Sequence, residues 1–186
     1  MKTWGAVLAV LLLLTGCSSR NQELDRAMDL RSRALQAPGC TFDAEITADY
    51  GDTLYTFSVS CQWENSGNLT FTVTQPESIS GITGTITRES GALTFEDVAL
   101  QFDTLTDGQV TPVMAPWILM QGLTGGYLTS AGMEDGFVRV SVDDSYAGEA
   151  LHLDVWLSGQ DLPIRGEILY EGRRIVSLSV KNFALL

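Results

Sequence analysis

The sequence predicts a mainly β domain: one curved antiparallel sheet of about nine or more short strands, one helix ahead of it and a second across its apolar face. Three observations predict it. From Cys40 onward apolar and polar residues alternate with period two, as in Phe42, Ala44, Ile46 and Ala48 against Thr41, Asp43, Glu45 and Thr47. Turn-forming residues punctuate the strands at short intervals, and nothing has the spacing of a parallel crossover. Alternation fails over residues 111–130, where a Pro-led apolar segment replaces it.

The chain has 186 residues, with 11 Lys plus Arg against 23 Asp plus Glu, one His and 3 Cys. That length suits one domain with a proper core. The formal charge of −12 argues against nucleic acid as partner, because phosphate binding rests on a Lys/Arg surface. The mean hydropathy of +0.11 is high for so acidic a chain and needs an explanation from position.

Lys2 precedes an uncharged run, Trp4 to Leu14, with four consecutive Leu. It is too short to span about 30 Å of hydrocarbon and suits an export-signal core. Leu14-Thr15-Gly16-Cys17 follows and resembles the bacterial lipobox. The resemblance implies a signal peptide over 1–16, a diacylglyceryl group on Cys17, a lipidated tether over 17–20 and a domain over 21–186. The chain would then be a lipid-anchored protein of the cell membrane, facing outside the cytoplasm. Two acyl chains hold stably where one holds marginally, each buried CH₂ adding roughly 0.8 kcal/mol.

Residues 21–36 carry apolar residues at helical spacing, Ala27, Leu30 and Ala34 beside Leu24, Met28 and Leu35. Acidic Glu23 and Asp25 come early and Arg31 and Arg33 late, which suits the helix dipole. Pro38-Gly39 stops the helix. A helix packed on the domain is the preferred reading, and a helix lying on the membrane surface is the alternative.

Two strands then face each other across Tyr50-Gly51-Asp52. A turn centred on Tyr50-Gly51 sets Cys40 opposite Cys61, close enough for a disulfide, and export favours oxidation. A turn one residue later keeps the same faces and leaves the cysteines diagonal. Further strands surround Leu69, Phe71 and Val73, then Ile82 to Thr87. Leu93 and Phe95 change parity with Val98, Leu100 and Phe102 around Glu96-Asp97, which implies a bulge or a second turn. The segment from Thr111 is apolar nearly all round, hence a buried helix, ending near Gly125-Gly126 with Tyr127 and Leu128 in a short turn. The remaining strands run through Val138 to Val142, Leu151 to Leu157, Ile164 to Tyr170 and Val176 to Phe183, with a hairpin turn at Glu171-Gly172.

Phe71-Thr72-Val73-Thr74-Gln75-Pro76, Gly81-Ile82, Leu93-Thr94-Phe95-Glu96, the Pro-led helix, Leu153-Asp154-Val155-Trp156-Leu157 with Pro163 and Ile164, and Val180-Lys181-Asn182-Phe183 together resemble the lipoprotein-carrier (LolA/LolB-like) superfamily in order and texture over 24–183. The resemblance implies an open half-barrel, helices in its mouth as a lid, and a hydrophobic cavity for acyl chains. A chain that is itself lipidated departs from the soluble carrier of that superfamily.

A lipid or acyl chain is the expected ligand. Its candidate lining is Phe42, Phe57, Trp63, Phe71, Phe95, Trp117, Met120 and Leu123, with a filled core as the alternative for the same residues. An exported protein partner is the second expectation, in a scaffold role within the cell envelope. Catalysis is not expected: His152 lies between Leu151 and Leu153 with its side chain on the other face, and no GxSxG or SxxK pattern frames a serine. No cofactor is expected. Asp143-Asp144 and Glu134-Asp135 read as solvated turns without the alternating carboxylates of a calcium loop.

Overall fold

The computed structural model describes residues 21–88, 90–95, 98–102, 105–106, 109–143 and 151–186. The export segment, Cys17 and the tether lie outside the described residues, as do Glu96-Asp97 and Asp144.

Helix α1 spans Gln22–Gln36, capped by Asn21, whose side chain accepts from the Leu24 N–H at 3.0 Å. That bond satisfies one of the first-turn donors a helix leaves open. Ala27, Leu30 and Ala34 are buried against the sheet. The first meander is β1 (Gly39–Asp49), β2 (Leu54–Glu64), β3 (Leu69–Gln75), β4 (Thr83–Ile86), β5 (Gly91–Phe95) and β6 (Val98–Phe102). A two-stranded ribbon, β7 (Leu105–Thr106) and β8 (Gln109–Val110), leads into α2 (Ala115–Gly125). The second meander is β9 (Tyr127–Glu134), β10 (Phe137–Asp143), β11 (His152–Leu157), β12 (Pro163–Tyr170) and β13 (Arg173–Leu185).

The two meanders join into one eleven-stranded antiparallel sheet, ordered β6-β5-β4-β3-β2-β1-β13-β12-β11-β10-β9. The join is β1 against β13, so the last strand of the domain pairs with the first. The sheet is curved and unclosed, with β6 and β9 as its edges. Hairpin turns at Asp135-Gly136 and Glu171-Gly172 put both residues at positive φ, as a two-residue turn between twisted strands requires. Tyr127 and Leu128, expected in a turn, instead open β9, because Gly126 already ends α2 in extended geometry. The parity change at residues 95–98 is a hairpin: Phe95 pairs with Val98, so both lie on the inner face.

The inner face carries the core. Phe42, Ile46, Leu69, Ile86, Leu157, Ile168 and Leu178 are essentially inaccessible. α2 lies on them with Ala115, Pro116, Trp117, Ile118, Leu119, Met120 and Leu123 all buried, which is why it has no polar face. On the inner face two glycines sit under aromatic rings. A Cβ at Gly84 would come 2.4 Å from the Phe71 ring, and one at Gly91 would come 2.2 Å from the ring of Phe102. These rings lie flat across the gaps that the glycines leave in the pleat.

Candidate functional site

The inner face has a covered half and an open wing. In the covered half, α1 and α2 are fastened to each other and to the sheet. The Arg31 guanidinium donates to the carbonyls of Leu123 (2.7 Å), Gly122 (3.1 Å) and Gly126 (2.8 Å) at the C-terminal end of α2, sharing that of Gly122 with the capping Gly126 N–H. Arg26 pairs with Asp161 at 2.5 Å, Arg33 donates to the Asp161 carbonyl, and Asn65 donates to the Leu35 carbonyl. The Trp117 indole N–H donates to the Gly67 carbonyl at 3.0 Å, which pins the start of α2 to the β2–β3 turn.

Of the eight aromatic and aliphatic candidates, six, Phe42, Trp63, Phe71, Trp117, Met120 and Leu123, belong to the contiguous buried core. Phe57 is half-buried against it. The structure thus brings seven of the eight together, as side chains packed on one another. Trp63 is buried, yet its indole N–H has no hydrogen-bond partner in the structure. An orphan donor in an apolar interior is costly.

Phe95 stands apart, on the open wing. There the inner-face rows continue past the helices onto β5 and β6, where Val98 is 68% exposed, Leu100 57% and Phe95 40%. Leu93 and Phe102 are half-buried beside them. Sequence alternation marks these residues as inner-facing. The missing information was that neither helix reaches them.

The Cys40–Cys61 bridge is not formed; both thiols are free and buried. The hairpin takes the later of the two registers, so Cys40 faces Trp63 and Cys61 faces Phe42. Diagonal positions are about 7 Å apart or slightly less at Cβ, beyond the roughly 4 Å a disulfide needs. Cys40 instead contacts the Met120 sulfur at 3.8 Å. Burial pushes its thiol up to about 12 and pushes that of Cys61 up as well, so both stay protonated.

A polar cluster that sequence reading missed lies on the outer face of β10 and β11. Buried Asp154 accepts from Arg139 (2.6 Å) and Ser141 (2.6 Å), and its Oδ1 is 3.2 Å from His152 Nε2. His152 Nδ1 is 2.6 Å from Asp143. Burial works to raise the Asp154 carboxyl, but Arg139 and Ser141 outweigh it and hold it below the ordinary carboxylate range. The order is Ser-Asp-His, with the carboxylate in the middle. The imidazole therefore does not touch the hydroxyl, as it must in a nucleophilic triad. Register explains the cluster, since Ser141 opposes Asp154 and Asp143 opposes His152. The signal was available as polar residues at matching parity, but only the pairing of β10 with β11 selects them. Beside it the Trp156 ring lies between the guanidinium groups of Arg139 and Arg165, 5.6 and 4.3 Å from its centroid.

Among the described residues no three His, Cys, Asp or Glu side chains are placed to hold a metal ion. No helix among them is long and apolar enough to cross a membrane. An open groove of about 490 Å³ lies on the outer face of β2–β5, lined by uncharged residues that include Ser60, Gln62, Thr70, Thr72, Thr83 and Thr85.

No protein-family model and no curated protein sequence matches the chain. Solved structures do resemble it in fold. A LolA superfamily protein from Nitrosomonas europaea aligns with a TM-score of 0.47 at 11% identity, over 86% of this chain and 93% of that one. The lipoprotein LppX of Mycobacterium tuberculosis aligns at 0.43 and 12%, over 89% and 96%. LprF of Mycobacterium bovis aligns at 0.41 and 12%, over 87% and 92%.

Proposed function

We propose that this chain is an exported, membrane-tethered lipoprotein that binds a lipid or acyl chain on the inner face of its half-barrel. Residues 1–16 are the export signal, Cys17 carries the anchor, 17–20 form the tether, and 21–186 form the binding domain. The observation that carries the ligand reading is the open wing: an apolar surface continuous with the core, concave, and left uncovered at Phe95, Val98 and Leu100. Large exposed apolar surface on a soluble face marks an interaction site, and a concave apolar one fits a flexible hydrocarbon chain. Trp63 supplies a donor for an ester or carboxyl oxygen deeper in, where the chain itself offers no acceptor. An acyl chain entering that far has to displace packed side chains beneath α2, and the Arg31 fork sets the resistance to that movement.

Native mass spectrometry of the membrane-extracted chain tests both parts. The expected masses are those of residues 17–186 plus acyl groups, with a further population carrying a non-covalent lipid. Leu100→Asp is expected to abolish that further population and leave the covalent mass unchanged. A chain that extracts no lipid from vesicles, with or without the substitution, overturns the ligand reading.

A second reading, an interaction lipoprotein of the cell envelope with a filled core, is favoured by the packing of the covered half, where Met114, Leu119 and Met120 are almost fully buried. It predicts that an exported protein, not lipid, covers the open wing.

A further inference from the structure

α1 has two apolar faces, and only one of them is used inside the domain. At 100° per residue, Ala27, Leu30 and Ala34 form the buried face, while Leu24, Met28 and Leu35 fall within about 40° of one another, about 110° around the axis from it. The second set is exposed, at 37%, 48% and 47%. It forms a stripe about 16 Å long on a helix whose remaining outward positions are polar or charged.

We infer that this stripe of α1 lies in the interface of the membrane that holds the tether. This placement rests on the proposed tether and on how the start of α1 is held. Asn21, the cap of α1, donates from its side chain to the Ala131 carbonyl of β9 at 3.3 Å, so the start of the helix is fixed on the domain. Asn21 is the fourth residue after Cys17, a span of at most about 14 Å when fully extended. An anchor in the leaflet therefore holds the start of α1 within reach of the headgroups. The nearest large exposed apolar side chains are those of the helix itself, Leu24 and Met28, with Met133 two residues along β9 from Ala131. By contrast, the exposed β1–β2 hairpin end with Tyr50, Leu54 and Tyr55 is five to six strand positions from β9, roughly 24 to 29 Å measured along the curved sheet. It points to no contact with the same leaflet.

Charge narrows the lipid class. Asp25 and then Asp29 lie on the outward side of the stripe, Arg31 on its other side is taken up by the end of α2, and the whole chain is strongly acidic. Insertion is therefore driven by apolar contact, and zwitterionic headgroups accept it better than anionic ones. The consequence is orientation: α1 is sandwiched between sheet and membrane, and the open wing at the opposite edge of the sheet is held clear of the leaflet.

The test uses the full lipidated chain in phosphatidylcholine vesicles, with an environment-sensitive fluorophore on Met28→Cys, on Leu35→Cys, or on Tyr55→Cys. Cys40 and Cys61 are buried and protonated, so the introduced thiol is the one that labels. The expected result is that probes at 28 and 35 are shielded from an aqueous quencher about fivefold relative to 55, with weaker shielding when phosphatidylglycerol is added. Equal quenching at all three sites overturns the inference. Shielding in native membranes that is absent from pure lipid vesicles also overturns it and assigns the stripe to a protein. The intact mass of the same samples reads the Cys17 anchor separately, so an unlipidated chain counts against the tether and not against the helix face.

Discussion

The two ends of the sheet obey the same alternation and meet different fates. From β13 to β10 the inner face is closed by α1 and α2, and the outer face is tied by charge: Arg139 with Asp154, and Arg174 and Arg165 with Glu167. From β3 to β6 the inner face runs out from under the helices to exposed Val98 and Leu100, and the outer face is a field of threonines without a charged side chain in its groove. One end is built for rigidity. The other exposes apolar surface that folding alone does not require. Alternation specifies which side chains share a face, but the cost or use of that face depends on what covers it.

Substitutions that treat the two ends alike should therefore have unlike effects. The largest is expected in the covered half: Leu119→Ala, on the sheet-facing side of α2, should cost roughly 4 kcal/mol in a denaturant melt, the loss of a fully buried side chain plus its cavity. Leu119 is fully inaccessible. A cost below about 1 kcal/mol would mean the covered half is loosely filled and would erase the contrast.

Asp154→Ala should cost about 2 kcal/mol, because it takes the acceptor from the buried Ser141 hydroxyl, while Arg139 stays partly exposed and keeps Glu134. The pH dependence follows from the same carboxylate. Its folded value is depressed, so its stabilisation is fully present above the unfolded value of about 3.9 and is lost as pH falls through the folded one. Stability should fall below about pH 4 in the parent chain, and this component of the fall should be missing from Asp154→Ala.

Arg31→Leu should cost roughly 2 kcal/mol by removing three bonds from a charged donor to the end of α2. It should also raise the rate of lipid uptake if acyl chains pass beneath the helix. Leu100→Ser, on the open wing, should leave stability within about 0.5 kcal/mol of the parent and lower the bound lipid measured by extraction. Alkylation without reductant should label Cys40 and Cys61 only after unfolding, and both of them.

Much of the fold was legible because burial imposes a period. The parity of Phe42 to Ala48, of Leu69 to Val73 and of Val138 to Val142 could be read directly, as could the two-residue turn at Glu171-Gly172 and an α2 without a polar side. The candidate ligand set was less legible. Phe71 and Phe95 read alike as inner-facing aromatics of the first meander. Phe71 is closed in by the core, whereas Phe95 sits two strands further out, past the reach of α2. A one-residue uncertainty in the β1–β2 turn decided whether Cys40 met Cys61 or Trp63, and local sequence tolerated both. The Ser141, Asp154 and His152 cluster needed the pairing of two strands that are separated by a long connection.

The acidic, yet apolar, composition has a positional explanation. By itself the sequence determined the alternating faces and the two helices, because each of these is written in neighbouring residues a few positions apart. Tertiary structure alone decided the rest: the joining of the two meanders by β1 on β13, the register that keeps the thiols apart, the Arg31 fork, and the boundary where the helices stop and the open wing begins. These depend on contacts between residues distant in the chain, where side-chain volume, strand register and helix length set what touches what.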